Sequence, residues 1–195
     1  MIPLIVLTGP TTSGKSETAL ELARKLNTEI ISADSMQVYK YFDIGTAKNS
    51  ASARQSIPHH LIDILEPEDE FNAFDFKTQA LATIHDLMSR NKIPIVVGGT
   101  ALYLKVLIQD YDCAVEISEE TRKKIQQEIL QQGVEQVYKS LQTIDPAFAE
   151  KISETDSLRI ERALGVYRET GKPFSEFHKE ASATDISFPI HTFII

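Results

Sequence analysis

Three short aliphatic runs, at Leu4–Thr8, Glu29–Ala33 and Ile93–Val97, punctuate the first hundred residues. Each passes directly into small or polar residues, the pattern of a buried strand whose C-terminal end opens onto a site. Between the runs, apolar positions recur every three or four residues. Ala19, Leu20, Leu22, Ala23 and Leu26 do so behind the first run, and Phe76, Ala80, Leu81, Ile84, Leu87 and Met88 do so within Asp75–Arg90. This β-α-β alternation predicts an α/β core, a parallel sheet with right-handed crossovers and flanking helices. Ligands of such sheets sit at the carboxyl ends of the strands. Those ends carry Gly9–Ser16, Asp34–Gln37 and Gly98–Thr100, which are predicted to converge.

After a short apolar helix at Ala101–Gln109 the pattern changes. From Ser118 to about Lys172 the segments are polar and helical, with few β-branched runs. Ser118, Thr121 and the acidic pair Glu119-Glu120 start one helix, and Gly133 breaks it. Asp145-Pro146 opens a short one. Asp156 or Ser157 caps another that runs to about Thr170, stopped by Gly171 and Pro173. The predicted organisation is a core over residues 1–115, a helical insertion over 116–175 and a return to the core over 176–195. That return ends on an apolar strand, Pro189–Ile195, and a last strand with no helix after it is what a shortened chain would leave.

Composition narrows the picture. At 195 residues the chain suffices for one α/β domain plus an insertion. Its 42% apolar and 25% charged residues are ordinary for a globular protein. No run of 18 apolar residues offers a membrane span. The start Met1-Ile2-Pro3-Leu4 lacks the basic residues of a signal peptide. The single cysteine, Cys113, cannot form an internal disulfide, and the expected setting is the reducing cytoplasm. Zinc is not expected, because His59-His60 has no third ligand at a recognisable spacing. The net charge of −8 argues against a broad nucleic-acid surface, so any RNA contact must rest on a local patch.

The sharpest chemical signal follows the first strand. Gly9-Pro10-Thr11-Thr12-Ser13-Gly14-Lys15-Ser16 is a complete phosphate-binding loop. Consecutive backbone N–H groups of such a loop wrap a di- or triphosphate, Lys15 supplies charge to the terminal phosphates, and the Ser16 hydroxyl suits a magnesium ion. The helix N-terminus behind the loop adds its dipole. The loop alone leaves open whether the phosphates are transferred, hydrolysed or expelled.

Other strand ends add candidates. Asp34 can accept a proton near the phosphates, or simply cap a turn. Met36 and Gln37 add an apolar contact and a polar reader. His59-His60 reads as a polar turn whose histidines are more often structural than catalytic. Val97-Gly98-Gly99-Thr100 lets backbone approach a ligand and ends in a hydroxyl, which can meet a bridging oxygen or cap the next helix. In the insertion, Arg159 and Arg162 share a helix face near Arg168, and Arg122 and Lys123 lie one turn into the earlier helix. These suit RNA phosphates, or form a solvated face with Glu161 and Glu169.

Taken as an ordered set, the segments resemble the tRNA dimethylallyltransferases, the isopentenyl transferases of tRNA. The resemblance rests on Gly9-Pro-Thr-x-x-Gly14-Lys15-Ser16, Asp34-Ser35-x-Gln37-Val38-Tyr39, Asp43-Ile44-Gly45-Thr46-Ala47-Lys48, Pro58-His59-His60-Leu61-Ile62-Asp63 and Val97-Gly98-Gly99-Thr100. A late block adds Asp145-Pro146, Arg159-Ile160-x-Arg162-Ala163-Leu164, Val166-Tyr167 and Thr170-Gly171-Lys172. It implies a P-loop-kinase-like core with a helical tRNA-binding insertion, acting as a monomer. By resemblance, Gly9 to Ser16 hold the diphosphate of dimethylallyl diphosphate, with Mg2+ on Ser16. The acceptor is the exocyclic N6 of the adenosine 3′ to the anticodon, in tRNAs reading codons that begin with U. Asp34 would accept the N6 proton, Thr100 would contact the bridging oxygen, and Lys15 would stabilise the leaving charge. Asp34, Ser35, Met36 and Gln37 would hold the flipped adenine. Leu158, Arg159, Ile160, Glu161 and Arg162, with Arg122, would contact tRNA.

The chain departs from the family pattern in three places. Ala101 follows the Gly-Gly-Thr where glycine is usual. Gly165 replaces an acidic residue on a helix, where glycine costs about 1 kcal/mol relative to alanine. The resemblance also implies that family members continue well beyond residue 195, with further basic residues that would offset the acidic balance. Two other readings share the loop: a P-loop kinase for a small molecule or nucleotide, and an isopentenyl transferase acting on free adenine nucleotides.

Overall fold

The computed structural model of the protein describes residues 1–109, 115–177 and 188–195, so Cys113 lies outside the described residues. The chain divides into two compact units, Met1–Asp110 with Ala183–Ile195, and Tyr111–Ser182.

In the first unit the elements run β1 (Leu4–Thr8), α1 (Lys15–Leu26), β2 (Ile30–Ser32), α2 (Ala51–Ser56), β3 (His59–His60), α3 (Ala73–Ser89), β4 (Ile95–Val97), α4 (Ala101–Gln109) and, from the C-terminal segment, β5 (Ile190–Ile194). The five strands form one parallel sheet in the order β3-β2-β4-β1-β5. The aliphatic runs make its centre because they are buried on both faces: Leu4, Val6, Ile31, Ile95 and Val96 are fully buried. α1 packs Ala19 and Ala23 against Leu7, Ile30, Ile95 and Val97. α3 starts two residues earlier than the periodicity suggests, because Asn72 and Asp75 form a reciprocal capping box ahead of it. Its buried Phe76 stacks on Tyr103 of α4 at 4.4 Å.

The expected polar turn at His59-His60 is instead a two-residue edge strand, and α2 precedes it. No periodicity marks either. β3 exists because β2 offers an unpaired edge: Ile30 N–H donates to the Pro58 carbonyl at 3.0 Å, and Ile30 and Ile31 pair with the two histidines.

The second unit holds α5 (Glu119–Gln132), α6 (Val134–Ile144), α7 (Pro146–Ala149), α8 (Ser157–Thr170) and α9 (Phe174–Phe177). Ser118, Asp145 and Asp156 each cap a helix, and Gly171 ends α8 in the left-handed conformation. Ile125, Val137, Leu141, Ile160 and Leu164 form its interior. Asp145 is buried at 1% exposure, with one carboxylate oxygen on the Phe148 N–H and the other on the Ser175 N–H. The expected glycine penalty at Gly165 has a packing reason. A Cβ built there would lie 2.4 Å from Ile117 Cδ1, so Ile117 occupies the space that a side chain would need.

At the N-terminal end of β2, Glu29 is nearly buried and accepts from Arg90 at 2.6 Å, Lys92 at 2.6 Å and His60 at 2.8 Å. Arg90 foremost, with Lys92 and His60, outweighs burial and holds the Glu29 carboxyl far below its ordinary value of 4.5. A depressed carboxylate stabilises the fold above its unfolded pKa and loses that contribution as pH falls below it. Glu29→Gln should therefore cost about 2 kcal/mol at neutral pH. The deficit should shrink below pH 4.5 as wild type loses the same contribution. Urea unfolding of both proteins between pH 2.5 and 7 checks this; a constant difference would exclude it.

Candidate functional site

Where the three strand ends meet, the backbone is stitched together. Gly98 N–H donates to the Leu7 carbonyl at 3.2 Å, Ala33 N–H to Val97 at 2.7 Å, and Thr100 N–H back to Ala33 at 3.3 Å. Gly98 permits this: a Cβ there would lie 2.1 Å from the Ala33 carbonyl oxygen. The predicted convergence is thus produced by main-chain bonds between β1, β2 and β4.

A cavity of about 370 Å³ opens at this junction. One wall is Thr11–Ser16. Gly14 is left-handed (φ 88°) at the N-cap of α1, which lets the loop turn into the helix beside the cavity. The Lys15 ammonium reaches back over the loop to the Pro10 carbonyl and lies 3.4 Å from Ser13 Oγ. Thr12, at φ 68°, makes a second left-handed turn. Of the predicted loop residues, Thr11, Thr12, Ser13, Gly14, Lys15 and Ser16 line the cavity, and Gly9 and Pro10 shape its approach from β1.

Asp34 and Gln37 line the same cavity. Asp34 does cap its turn, but with one oxygen: Oδ1 accepts from Met36 N–H at 2.9 Å and Gln37 N–H at 3.3 Å. Oδ2 takes no hydrogen bond among the described residues. Thr100 Oγ1 accepts from Ser35 N–H at 3.0 Å and lies 3.4 Å from Ser35 Oγ. Its hydroxyl therefore turns toward the Asp34 loop, while its carbonyl accepts from Leu104 N–H at the start of α4. Gln37 is more constrained than a free reader: its Oε1 accepts from Ser32 and its Nε2 donates to the Thr46 carbonyl at 3.0 Å. Met36 is about half exposed.

The far wall carries residues that sequence reasoning did not assign to the site: Ser32, Thr46, Ala47, Asn49, His59 and Ile62. His59 and His60 point to opposite sides of their strand. His60 serves Glu29, whereas His59 faces the cavity with both ring nitrogens engaged. Nδ1–H donates to the Ile57 carbonyl at 2.7 Å, and Nε2 accepts from Asn49 at 2.8 Å. Burial pushes its pKa below the ordinary value, so it is neutral at physiological pH. The signal for His59 was its strand parity once β3 was known; nothing marked Asn49.

Lys48 supports this wall. Its side chain is 2% exposed, and its ammonium donates to Tyr39 O at 2.5 Å, Asp63 Oδ1 at 2.6 Å and Asp43 Oδ1 at 3.2 Å. Burial raises the Asp63 pKa, but Lys48 and Arg54 outweigh it and hold the carboxyl below its ordinary value. The Asp43–Lys48 and Pro58–Asp63 motifs thus meet as one ionic lock. Tyr103, stacked beneath on Phe76, is pushed up to about 12 by burial, with smaller contributions from Tyr39, Asp75 and Asp34.

The magnesium expectation rests on oxygen donors. Ser16, beside Lys15 and on the same cavity as Asp34, gives a hydroxyl of the hard type Mg2+ takes. Among the described residues no cluster of three or more His, Cys, Asp or Glu is placed to hold a metal by itself. No described helix is long and apolar enough to cross a membrane.

In the second unit, Leu158 and Arg159 are exposed on α8, with Arg159 3.2 Å from Asp156. Arg162 is half-buried. Glu161 accepts from Gln126 at 3.0 Å and lies 3.7 Å from Arg122, tying α5 to α8. Ile160 differs from its neighbours: it is fully buried, and its side chain packs in the helical core. Helical periodicity explains the difference, since Ile160 lies in line with Leu164 on the inner face.

Comparison with known proteins gives the same family from three directions. A sequence model of the family described as IPP transferase matches residues 37–195. A curated protein of Geotalea uraniireducens (strain Rf4), tRNA dimethylallyltransferase 2, is 46% identical over 184 residues, 94% of this chain and 59% of its own length. The tRNA dimethylallyltransferase of Thermoanaerobacter sp. (strain X514) is 46% identical over 179 residues, 91% and 57% of the two chains. Among solved structures, a eukaryotic dimethylallyltransferase acting on tRNA is similar at a TM-score of 0.78 and 34% identity, over 100% of this chain and 48% of that one. The tRNA isopentenylpyrophosphate transferase of Bacillus halodurans is similar at 0.57 and 38%, over 89% and 57%. The chain therefore spans between half and three fifths of the curated relatives it matches.

Proposed function

This chain belongs to the IPP transferase family, and on that premise we propose that it transfers a dimethylallyl group from dimethylallyl diphosphate to N6 of the adenosine 3′ to the anticodon, in tRNAs reading U-starting codons. The observation that carries this reading is the shared cavity: a phosphate loop on one wall and, on another, a carboxylate with one oxygen held and the other open. Kinases share the phosphate loop; the open carboxylate beside it is what a transfer to an amino nitrogen uses to take up the departing proton.

The loop amides and Lys15 hold the diphosphate. N6 forms a bond to the allylic carbon as the bond from that carbon to the diphosphate oxygen breaks. The N6 proton passes to Asp34 Oδ2, and diphosphate departs. Thr100, whose Oγ1 is held by the Ser35 N–H, would turn its proton from Ser35 Oγ to the bridging oxygen, and Lys15 neutralises the charge that grows there. Ser16 would hold Mg2+, which when bound supplies further charge neutralisation to the diphosphate. The target base must leave its stack to reach this depth. Leu158, Arg159 and Arg162 supply exposed or half-exposed positions for RNA on the helical unit. A single cysteine fits a cytoplasmic setting, and we take the chain to act as a monomer.

The deciding experiment incubates the protein with labelled dimethylallyl diphosphate, Mg2+ and unmodified tRNA, with AMP and ATP as alternative acceptors. Label should pass to tRNA. Transfer to AMP alone would assign the chain to free nucleotides, and phosphate transfer from ATP to a small molecule would make it a kinase.

A further inference from the structure

Next to the cavity the chain does something costly. Within nine residues it exposes four large apolar side chains: Met36 at 47%, Tyr41 at 73%, Phe42 at 39% and Ile44 at 97%. Tyr41, Phe42 and Ile44 belong to one closed loop, and Met36 immediately precedes it. The Gln37 amide bonds the Thr46 carbonyl at 3.0 Å across its base, and the Thr46 hydroxyl bonds the Phe42 carbonyl. Ala47 N–H donates to Ile44 O at 3.3 Å, and buried Lys48 grips Tyr39 and Asp43 from below. Tyr41 has φ 69°, an uncommon conformation for a bulky residue and one that persists only where surrounding structure imposes it. A loop held this firmly displays its apolar tip by construction.

The charges of the loop are already matched. Lys40 pairs with Glu66 at 2.6 Å, and Asp43 with Lys48. The tip therefore offers faces and not net charge. Its base is continuous with the site, because Gln37, Thr46 and Ala47 line the cavity beside Asp34.

We propose that the loop Gln37–Thr46, with Met36 just before it, is a stacking platform on which Tyr41, helped by Ile44 and Met36, receives the unpaired nucleobases that flank the modified one. The inference rests on the reading above, in which the target base is drawn from a single-stranded loop. Its removal leaves the faces of its neighbours unstacked, and aromatic and aliphatic side chains on a loop whose base lines the cavity replace that lost stack. This also accounts for RNA binding by a chain of net charge −8: part of the affinity comes from base faces, which need no cation.

The test measures binding of the protein to an unmodified anticodon stem–loop RNA carrying 2-aminopurine on either side of the target adenosine. Wild type should quench one of the two probes. Tyr41→Ala should weaken binding about tenfold and abolish the quench, as loss of one base–aromatic stack does. Ile44→Ser should weaken binding several-fold, and Tyr41→Phe should restore wild-type behaviour. Because no phosphate contact is lost, the ratio of variant to wild-type Kd should stay constant between 50 and 250 mM salt. Circular dichroism and thermal unfolding of the variants should match wild type, as befits exposed positions. Wild-type affinity in both variants, or a ratio that collapses with salt, overturns the proposal while leaving the transfer reaction standing. Self-association of wild type that Ile44→Ser abolishes would make the tip a protein contact and overturns it too. If wild type binds no stem–loop and prenylates no tRNA, it is the functional reading that fails.

Discussion

Asp34→Asn should lower prenyl transfer to tRNA by about 10²- to 10⁴-fold, the usual worth of a positioned general base, with little change in stability. The asymmetry of the Asp34 carboxylate sets up this test. Oδ1 holds the turn through the amides of Met36 and Gln37, and an asparagine carbonyl can accept the same two bonds. Only the second oxygen changes, from a proton acceptor to an amide that cannot take a proton. Asp34→Ala removes both functions and should add a stability loss of about 1 kcal/mol for the missing cap. Binding of diphosphate, measured by calorimetry, should be retained in both, because the phosphate loop is on another wall. A kcat of Asp34→Asn within tenfold of wild type would show that the proton leaves by another route.

Lys48→Met should destabilise the protein by about 3 kcal/mol, since it removes the buried cation that donates charge-assisted hydrogen bonds to Asp63 and Asp43. For a chain of this size that lowers Tm by roughly 10 °C. Asp63 would keep Arg54 but lose its 2.6 Å partner, and the Tyr39 carbonyl would lose its donor. In a double-mutant cycle with Asp63→Asn the two losses should fall short of additive by at least about 1 kcal/mol. The pH dependence carries a sign. With its pKa depressed, Asp63 stabilises the fold above its ordinary value of 3.8 and loses this as pH falls through the depressed value. Without Lys48 the depression is smaller, so acid should remove less stability from the variant than from wild type. Additive losses, or identical acid profiles, would mean that Lys48 does not hold the lock.

Much of the core was legible in the chain because local physics suffices for it. Leu4–Thr8 is aliphatic enough to be buried on both faces, and the phosphate loop behind it carries its own turn residues, so strand, loop and helix could be placed together. The Asn72–Asp75 box, by contrast, starts α3 through side-chain bonds that periodicity does not register. Ile160 sat inside a run of RNA candidates, and its inward phase on α8 outranked its neighbours' polarity. Gly165 looked like a simple helix penalty until Ile117 was seen to fill its missing side chain.

By itself the sequence determined the α/β core, the position of the glycine-rich loop and the family, since each depends on residues close together or on an ordered series of motifs. Only the tertiary structure decided the division of labour among those motifs. Asp43–Lys48 and Pro58–Asp63 are polar blocks that either chemistry or scaffolding could have claimed, and the fold buries Lys48 between them as a lock. His59 and His60 are neighbours in the chain, yet strand parity sends one to the cavity and the other to Glu29. Asp34 acquired two distinct oxygens only when its turn formed. Burial and partnership are properties of the assembled fold, set by long-range packing, and they turn a list of capable residues into a site.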